Sequence, residues 1–333
     1  MYDRILVPLD GSPMSERVLC YATRISLGLS IPIHLMQVCD SVPETMSDPA
    51  RGRYVSNINQ GRLDHATDYL NDIKRKMPVK EITCAPYEGD AASVISREAG
   101  KTPNSLIAIA THGRSGLTRW LLGSVVDTVL HRTKNPMLIV RSHGNDKSEP
   151  EMNLETIIAP VDGSPLSEEV LPHVASLAYA LNLKVTLLEA VATVEELSAM
   201  TGYQRLEGVG GLHFPSSEKR ARDASNQAVE YIKGLENDLK DRGVANIDHI
   251  VKRGPASNVI VDTASETPGS LVAMTTHGRS GPSRWALGSV TDCVVRHSGD
   301  PVLVIRTGVD SPREGNQPSA VEDFVGGVLT TGE

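Results

Sequence analysis

Aromatic side chains are scarce: Phe, Trp and Tyr make up only 4% of the 333 residues. Any core must therefore be built from aliphatic side chains. Cysteine is rarer still. Cys20, Cys39, Cys84 and Cys293 show no CxxC spacing and no pattern with histidine, so they read as small buried hydrophobes with no metal or redox role. Long apolar runs are missing as well. The longest, such as LIAIA from Leu106 to Ala110, fall far short of the roughly 20 residues a membrane-spanning helix needs. The opening stretch MYDRILVPLD has neither the apolar core nor the small-residue cleavage site of a signal peptide, and the expected address is the cytoplasm. Nor is there an excess of basic charge. A net charge of -8 and a pI near 5.7 disfavour a nucleic-acid partner, which needs clustered Lys and Arg.

What the chain does have is length and repetition. At 333 residues it exceeds the usual single domain of roughly 100 to 200. RILVPLDGSPMSE from Arg4 pairs with TIIAPVDGSPLSE from Thr156, an offset of 152. GDAASVI from Gly89 pairs with GPASNVI from Gly254, and NPMLIVR from Asn135 with DPVLVIR from Asp300, both at an offset of 165. Between Ala110–Val125 and Thr275–Val290, 12 of 16 positions are identical. A unit of this length is a duplicated domain, since solenoid repeats run to roughly 20 to 50 residues. The expected division is residues 1–142 and 154–307, with a polar linker at 143–153 and a loose tail at 308–333 rich in Gly, Ser, Thr and acids.

Within each copy, short apolar runs alternate with segments of helical spacing. Ile5–Leu9, Ile33–Val38, Val79–Cys84, Leu106–Ala110 and Met137–Val140 suit strands buried on both faces. Met14–Leu27, Gly61–Met77, Ala91–Ala99 and Leu122–Arg132 suit helices. Strand–helix alternation predicts a parallel sheet with right-handed crossovers, so each copy is read as a doubly wound, Rossmann-like α/β domain of five strands.

In such sheets ligands sit beyond the carboxyl ends of the strands, where strand order reverses. Both repeated motifs fall there. After the first strand, Ser12 can cap the next helix, Pro13 suits its first position and Glu16 complements its amino end. Asp10 admits two readings, a hydrogen bond to a ribose hydroxyl or amine and a local Asx turn. Further along, Gly113 and Gly278 permit close backbone approach, and Gly123-Ser124 and Gly288-Ser289 each open a helix. Its free amides, the Ser hydroxyl and Arg114 or Arg279 can hold phosphates, or the pair can simply cap the helix. His112 and His277 have no nucleophile or acid at a useful spacing and are read as turn residues. Trp120 and Trp285 are read as packing groups.

Together the residues resemble the universal stress protein family twice over, through VPLDGS and APVDGS, THGRSG and GSV in each copy, and the closing PMLIVR and PVLVIR. The resemblance covers nearly the whole chain and implies an adenine-nucleotide-binding fold. It places Pro8, Asp10 and Val38 beside the adenosine, with Gly113, Arg114, Gly123, Ser124 and Val125 around the phosphates. In the second copy the matching positions are Pro160, Asp162, Ala190, Gly278, Arg279, Gly288, Ser289 and Val290. Its ATP-binding members carry Gly, two residues, Gly, nine residues, then Gly and Ser or Thr. Here the first of these glycines is Ala110 or Thr275, and the bulkier Thr275, with Ala190 in place of Val38, favours the first copy as the working site.

The resemblance also implies pairing of domains through their last strands. Two copies in one chain can satisfy each other this way as an internal pseudo-dimer, and a homodimer is open. The expected function is ATP binding, with Mg²⁺, in a stress-response regulator or nucleotide sensor that is at most a slow ATPase. A nucleotide-free interaction scaffold is the alternative. An adenylating enzyme would want a glycine-rich phosphate loop after the first strand, where this chain has DGSP. The stretch at 193–217 reads either as a flap over the second site or as a surface insertion.

Overall fold

The computed structural model describes residues 1–40, 52–113, 122–143, 154–199, 216–278 and 287–306. The expected linker, the tail, most of the 193–217 stretch, Arg114, Trp120, Arg279 and Trp285 lie outside the described residues.

Ten strands form one sheet. In the first copy β1 (Arg4–Leu9), β2 (Ile33–Cys39), β3 (Ile82–Glu88), β4 (Ser105–Gly113) and β5 (Met137–His143) alternate with α1 (Val18–Leu29), α2 (Gly52–Lys76), α3 (Ala91–Gly100) and α4 (Ser124–Arg132). The second copy repeats this with β6 (Thr156–Val161), β7 (Lys184–Val191), β8 (Ile247–Arg253), β9 (Ser270–Thr275) and β10 (Val302–Ile305), and with α5 (Leu171–Leu181), α6 (Ser217–Asp241), α7 (Ala256–Ser265) and α8 (Ser289–His297). Strand order is β3-β2-β1-β4-β5-β10-β9-β6-β7-β8. Every pairing is parallel except the central one, where β10 meets β5 antiparallel with Leu303 opposite Leu138. Each copy's order reverses between its first and fourth strands.

Alternation within the strands feeds two cores. Ile5, Val7 and Leu9 face one core with α1, α2, α5 and α6, while Leu6 faces the other with α3, α4, α7 and α8. Both cores run through the two copies without a break. The side chains of Met137 to Val140 and Val302 to Ile305 are at most 5% exposed, and burying each such aliphatic group is worth roughly 1.5–3 kcal/mol. Apolar runs this continuous are legible as strands because water reaches neither face.

Three expected boundaries need correction. The third strand is Ile82–Glu88, not Val79–Cys84, because β3 is an edge strand whose residues are mostly half-buried or exposed. An edge tolerates Pro86, which breaks the apolar pattern. Helix α2 begins at Gly52, nine residues before the expected start, because its first turns carry no apolar periodicity. The start of α1 also shifts: residues 15–17 form a tight helical turn and the α-helix follows from Val18.

The copies are fastened at several further points. Helices α1 and α5 meet across the seam, and a β carbon on Gly28 would collide with the Leu181 side chain. Tyr2 lies buried there with its hydroxyl 2.7 Å from His173 Nδ1. Arg296 of α8 reaches both Asp292 Oδ1 (2.8 Å) and Asp127 Oδ1 of α4 (3.2 Å). Just past β10, the Arg306 guanidinium donates to the carbonyls of His131 (2.7 Å) and Thr133 (3.0 Å). The first is one of the last carbonyls of α4, which have no intrahelical donor and carry the negative end of the helix dipole, and the second belongs to the extended residue that follows the helix.

Replacing Arg306 with Ala leaves those carbonyls without their donor and should lower unfolding free energy by about 2 kcal/mol, read from urea denaturation. Arg306→Lys should restore only part, since one ammonium cannot span them. His173 supplies a pH dependence. Burial pushes its ring down to about 4, against about 6.5 in an unfolded chain. Between these values the unfolded chain binds a proton that the folded one rejects. Stability is therefore full above about pH 6.5 and falls by on the order of 2–3 kcal/mol as pH drops to about 4. Comparing wild type with His173→Gln at pH 7 and pH 4.5 should show this loss in the wild type alone.

Candidate functional site

At each reversal of strand order the sheet splays and leaves a cavity on the α3/α7 side. The first, about 250 Å³, brings together Pro8, Asp10, Val38, Gly123, Ser124 and Val125. The second, about 280 Å³, brings together Pro160, Asp162, Ala190, Gly278, Gly288, Ser289 and Val290. Gly113 ends β4. Because β10 runs against β5, the cavities open at opposite ends of the strands.

The Asp-Gly-Ser-Pro turns match almost bond for bond. Gly11 and Gly163 take φ of 82° and 80°, a region that glycine enters without steric cost. Asp10 Oδ1 accepts the Ser12 amide at 2.9 Å, and Asp162 Oδ1 accepts the Ser164 amide at 3.0 Å. The Ser12 hydroxyl accepts the Ser15 amide at 3.1 Å and the Ser164 hydroxyl accepts the Ser167 amide at 3.2 Å. Ser164 caps the short helical turn Pro165–Glu168, whereas the expected cap at Ser12 needs correction: the turn at residues 15–17 starts after Met14 and has no side-chain cap. So the Asx turn is present in both copies and fixes each carboxylate at the cavity mouth. Beneath the first turn, the Tyr69 hydroxyl donates to Glu16 Oε1 at 3.0 Å. Burial, and then Glu16 itself, hold that phenol well above its usual range.

Opposite the turns lie the starts of α4 and α8. Gly123 and Gly288 are the capping residues, with φ/ψ of -56°/138° and -60°/144°. The first helical bonds run from Asp127 and Asp292 back to the Gly123 and Gly288 carbonyls at 2.9 Å. The intervening amides of Ser124 and Val125, and of Ser289 and Val290, have no acceptor within their helices and aim the positive end of the dipole into the cavity. The arrangement can bind an apolar ring, a hydroxyl-bearing sugar and an anion in sequence.

Several lining residues escaped the sequence reading. Ala91 and Ile95, and their counterparts Ala256 and Ile260, close the wall from α3 and α7. Their signal was visible in the repeated GDAASVI and GPASNVI, whose periodicity alone explains them as core. Ser15 and Ser167, the hydroxyls locked into the turns, also line the cavities, as do Thr111, Thr276 and His277. His277 matches the turn role, its Nδ1 lying 3.2 Å from Thr276 Oγ1. The side chain of His112 is outside the described residues.

A duplicated parallel α/β sheet with a ligand-sized cavity at each switch point defines the class of nucleotide-type binding folds. A family model for the universal stress protein family matches residues 1–141 and 153–306. The chain belongs to the universal stress protein family. A universal stress protein of Mycobacterium tuberculosis is 25% identical over 317 residues, spanning 91% of this chain and 96% of that protein. One from Methanocaldococcus jannaschii is 29% identical over 154 residues, 45% of this chain and 93% of its own. The crystal structure of a universal stress protein from Archaeoglobus fulgidus superposes with a TM-score of 0.59 at 17% identity, covering 92% of this chain and all of that one. Among the described residues no helix is long and apolar enough to cross a membrane.

The two capping glycines are under different constraints. A β carbon at 288 would stand 2.7 Å from the Thr276 carbonyl oxygen, while at 123 it would meet only the Thr111 hydroxyl, at 3.4 Å. Gly288→Ala should therefore cost about 1–3 kcal/mol through overpacking. Gly123→Ala should stay within about 1 kcal/mol of wild type, with thermal unfolding as the measurement.

Proposed function

We propose that this chain is an ATP-binding tandem universal stress protein of the cytoplasm, acting as a stress-response regulator or nucleotide sensor. The observation that carries the reading is the continuity of each cavity, from an apolar wall through a carboxylate to the amides of a helix start that have no acceptor within the helix. Pockets that enclose a drug-sized ligand run from about 300 Å³ upward. A space of about 250 Å³ therefore suits the base and ribose, with the phosphates running out along the amino end of α4. In this reading Val38 and Ile95 sandwich the base, and Asp10 takes a ribose hydroxyl. The Gly123–Val125 backbone receives the phosphates, with Gly113 and Arg114 beside it. Pro160, Asp162, Ala190, Gly278, Arg279, Gly288, Ser289 and Val290 are the counterparts in the second copy.

Magnesium would enter with the phosphates. Among the described residues no group of three or more His, Cys, Asp or Glu side chains could hold a metal, and this ion is commonly bound by phosphate oxygens and waters. The described side chains at the phosphate end of the first cavity, Thr111 and Ser124, are hydroxyls that take no proton near neutral pH. Water activation has no evident base there, so hydrolysis is expected to be slow at most.

Isothermal titration of ATP with Mg²⁺ into protein freed of nucleotide tests the reading. Wild type should bind. Gly123→Asp, which adds a negative charge beside the phosphates, should weaken the first site by more than about tenfold. No heat and no thermal shift at millimolar ATP would leave a nucleotide-free scaffold as the function.

A further inference from the structure

The walls of the two pockets correspond, with Ala190 and Met274 in place of Val38 and Ile109, and their phosphate ends are built differently. In the first copy β4 stays extended to Gly113, paired with β5 as far as His143. There the Gly123 amide donates to the Thr111 hydroxyl at 3.2 Å. In the second copy β9 stops at Thr275. The Thr275 hydroxyl donates to the His277 carbonyl at 2.8 Å and bends the chain. Turned by that bend, the Thr276 carbonyl accepts the Gly288 amide at 2.9 Å. The Thr291 hydroxyl grips the bend from α8, donating to the Thr275 carbonyl at 2.8 Å. Neither hydroxyl exists in the first copy, whose matching residues are Ala110 and Val126.

These contacts change what the end of the pocket will accept. In the first pocket the hydroxyl of Thr111 meets the capping amide and can rotate to donate to an arriving anion. In the second the matching Thr276 hydroxyl lies 3.2 Å from His277 Nδ1. The Thr276 carbonyl, which can only accept, meets the Gly288 amide there instead. It sets partial negative charge where the dipole of α8 would otherwise draw a phosphate. The same bend brings Gly278 so close to Asp162 that a β carbon there would collide with the carboxylate. The apolar wall of Pro160, Leu188, Ala190 and Met274 is nevertheless intact, around a cavity of about 280 Å³. Lining that cavity is also His277, whose Nε2 is buried and has no hydrogen-bond partner among the described residues. A neutral ligand bearing a hydroxyl or amino group would supply one.

We propose that the second pocket takes a nucleoside but rejects its phosphate chain, and that Thr275 and Thr291 set this difference from the first. The proposal rests on the nucleotide reading above and assigns unequal ligands to its two sites. Stoichiometry in the intact wild-type protein tests it directly, by titrating adenosine and, separately, ATP with Mg²⁺. Two adenosine sites and one ATP site are expected. Two ATP sites of similar affinity, or a single adenosine site, would overturn the proposal and leave the nucleotide reading standing, whereas no binding of either ligand would remove both. Thr275→Ala with Thr291→Val copies the first pocket into the second and should raise ATP stoichiometry to two, with at least a tenfold gain in affinity at the new site. A folded double variant that still takes one ATP would overturn the assignment to these residues. Thr275→Ala alone gives the same reading, should the pair of changes disturb folding.

Discussion

β5 and β10 meet antiparallel at the middle of the sheet, each the last strand of its own copy. Unpaired, either would expose an edge of four consecutive apolar residues, Met137–Val140 or Val302–Ile305, the kind of surface that templates association with other chains. Paired, they convert two five-stranded sheets into one of ten, whose edges among the described residues are β3 and β8. Those carry Pro86 and a run of half-exposed polar residues, a poor template. The opposed directions of the two copies follow from this single pairing, and so does the placement of their cavities at opposite ends of the strands. Tyr2 with His173, Arg296 between two aspartates, and Arg306 on the end of α4 all lie where that pairing brings them.

Much of this was legible in the sequence because the strands are buried on both sides. A run such as ILVPL or MLIV can go nowhere else in a chain so poor in aromatic groups. The turn after each first strand was equally legible, since Gly, Ser and Pro each have a local reason to be there. The third strand was misplaced because an edge needs no continuous apolar run. Nor could a pattern find the Tyr2–His173 contact, which joins residues 171 apart in sequence. The capping glycines were found, but the reason one is crowded and the other is not lies in a bend at which the Thr275 and Thr291 hydroxyls both donate to backbone carbonyls.

The copies have diverged in polar detail while keeping their frame. Asn135 donates from Nδ2 to the carbonyls of Thr102, Pro103 and Ser105 at 3.3, 2.9 and 3.1 Å. Its counterpart Asp300 can donate only when protonated, and burial pushes its carboxyl up to about 6. At the phosphate end of the pockets, Ala110 and Val126 face Thr275 and Thr291. Each exchange replaces one or two atoms, and each alters which groups remain available for hydrogen bonding.

Covalent linkage of the copies also changes the order of the reaction that forms the sheet. Between separate chains the β5–β10 contact would be bimolecular, and its occupancy would follow protein concentration. Within one chain the second strand is present at an effective concentration that does not depend on how much protein there is. Dilution therefore cannot part the two halves, and the central pairing persists at any level to which the protein is expressed.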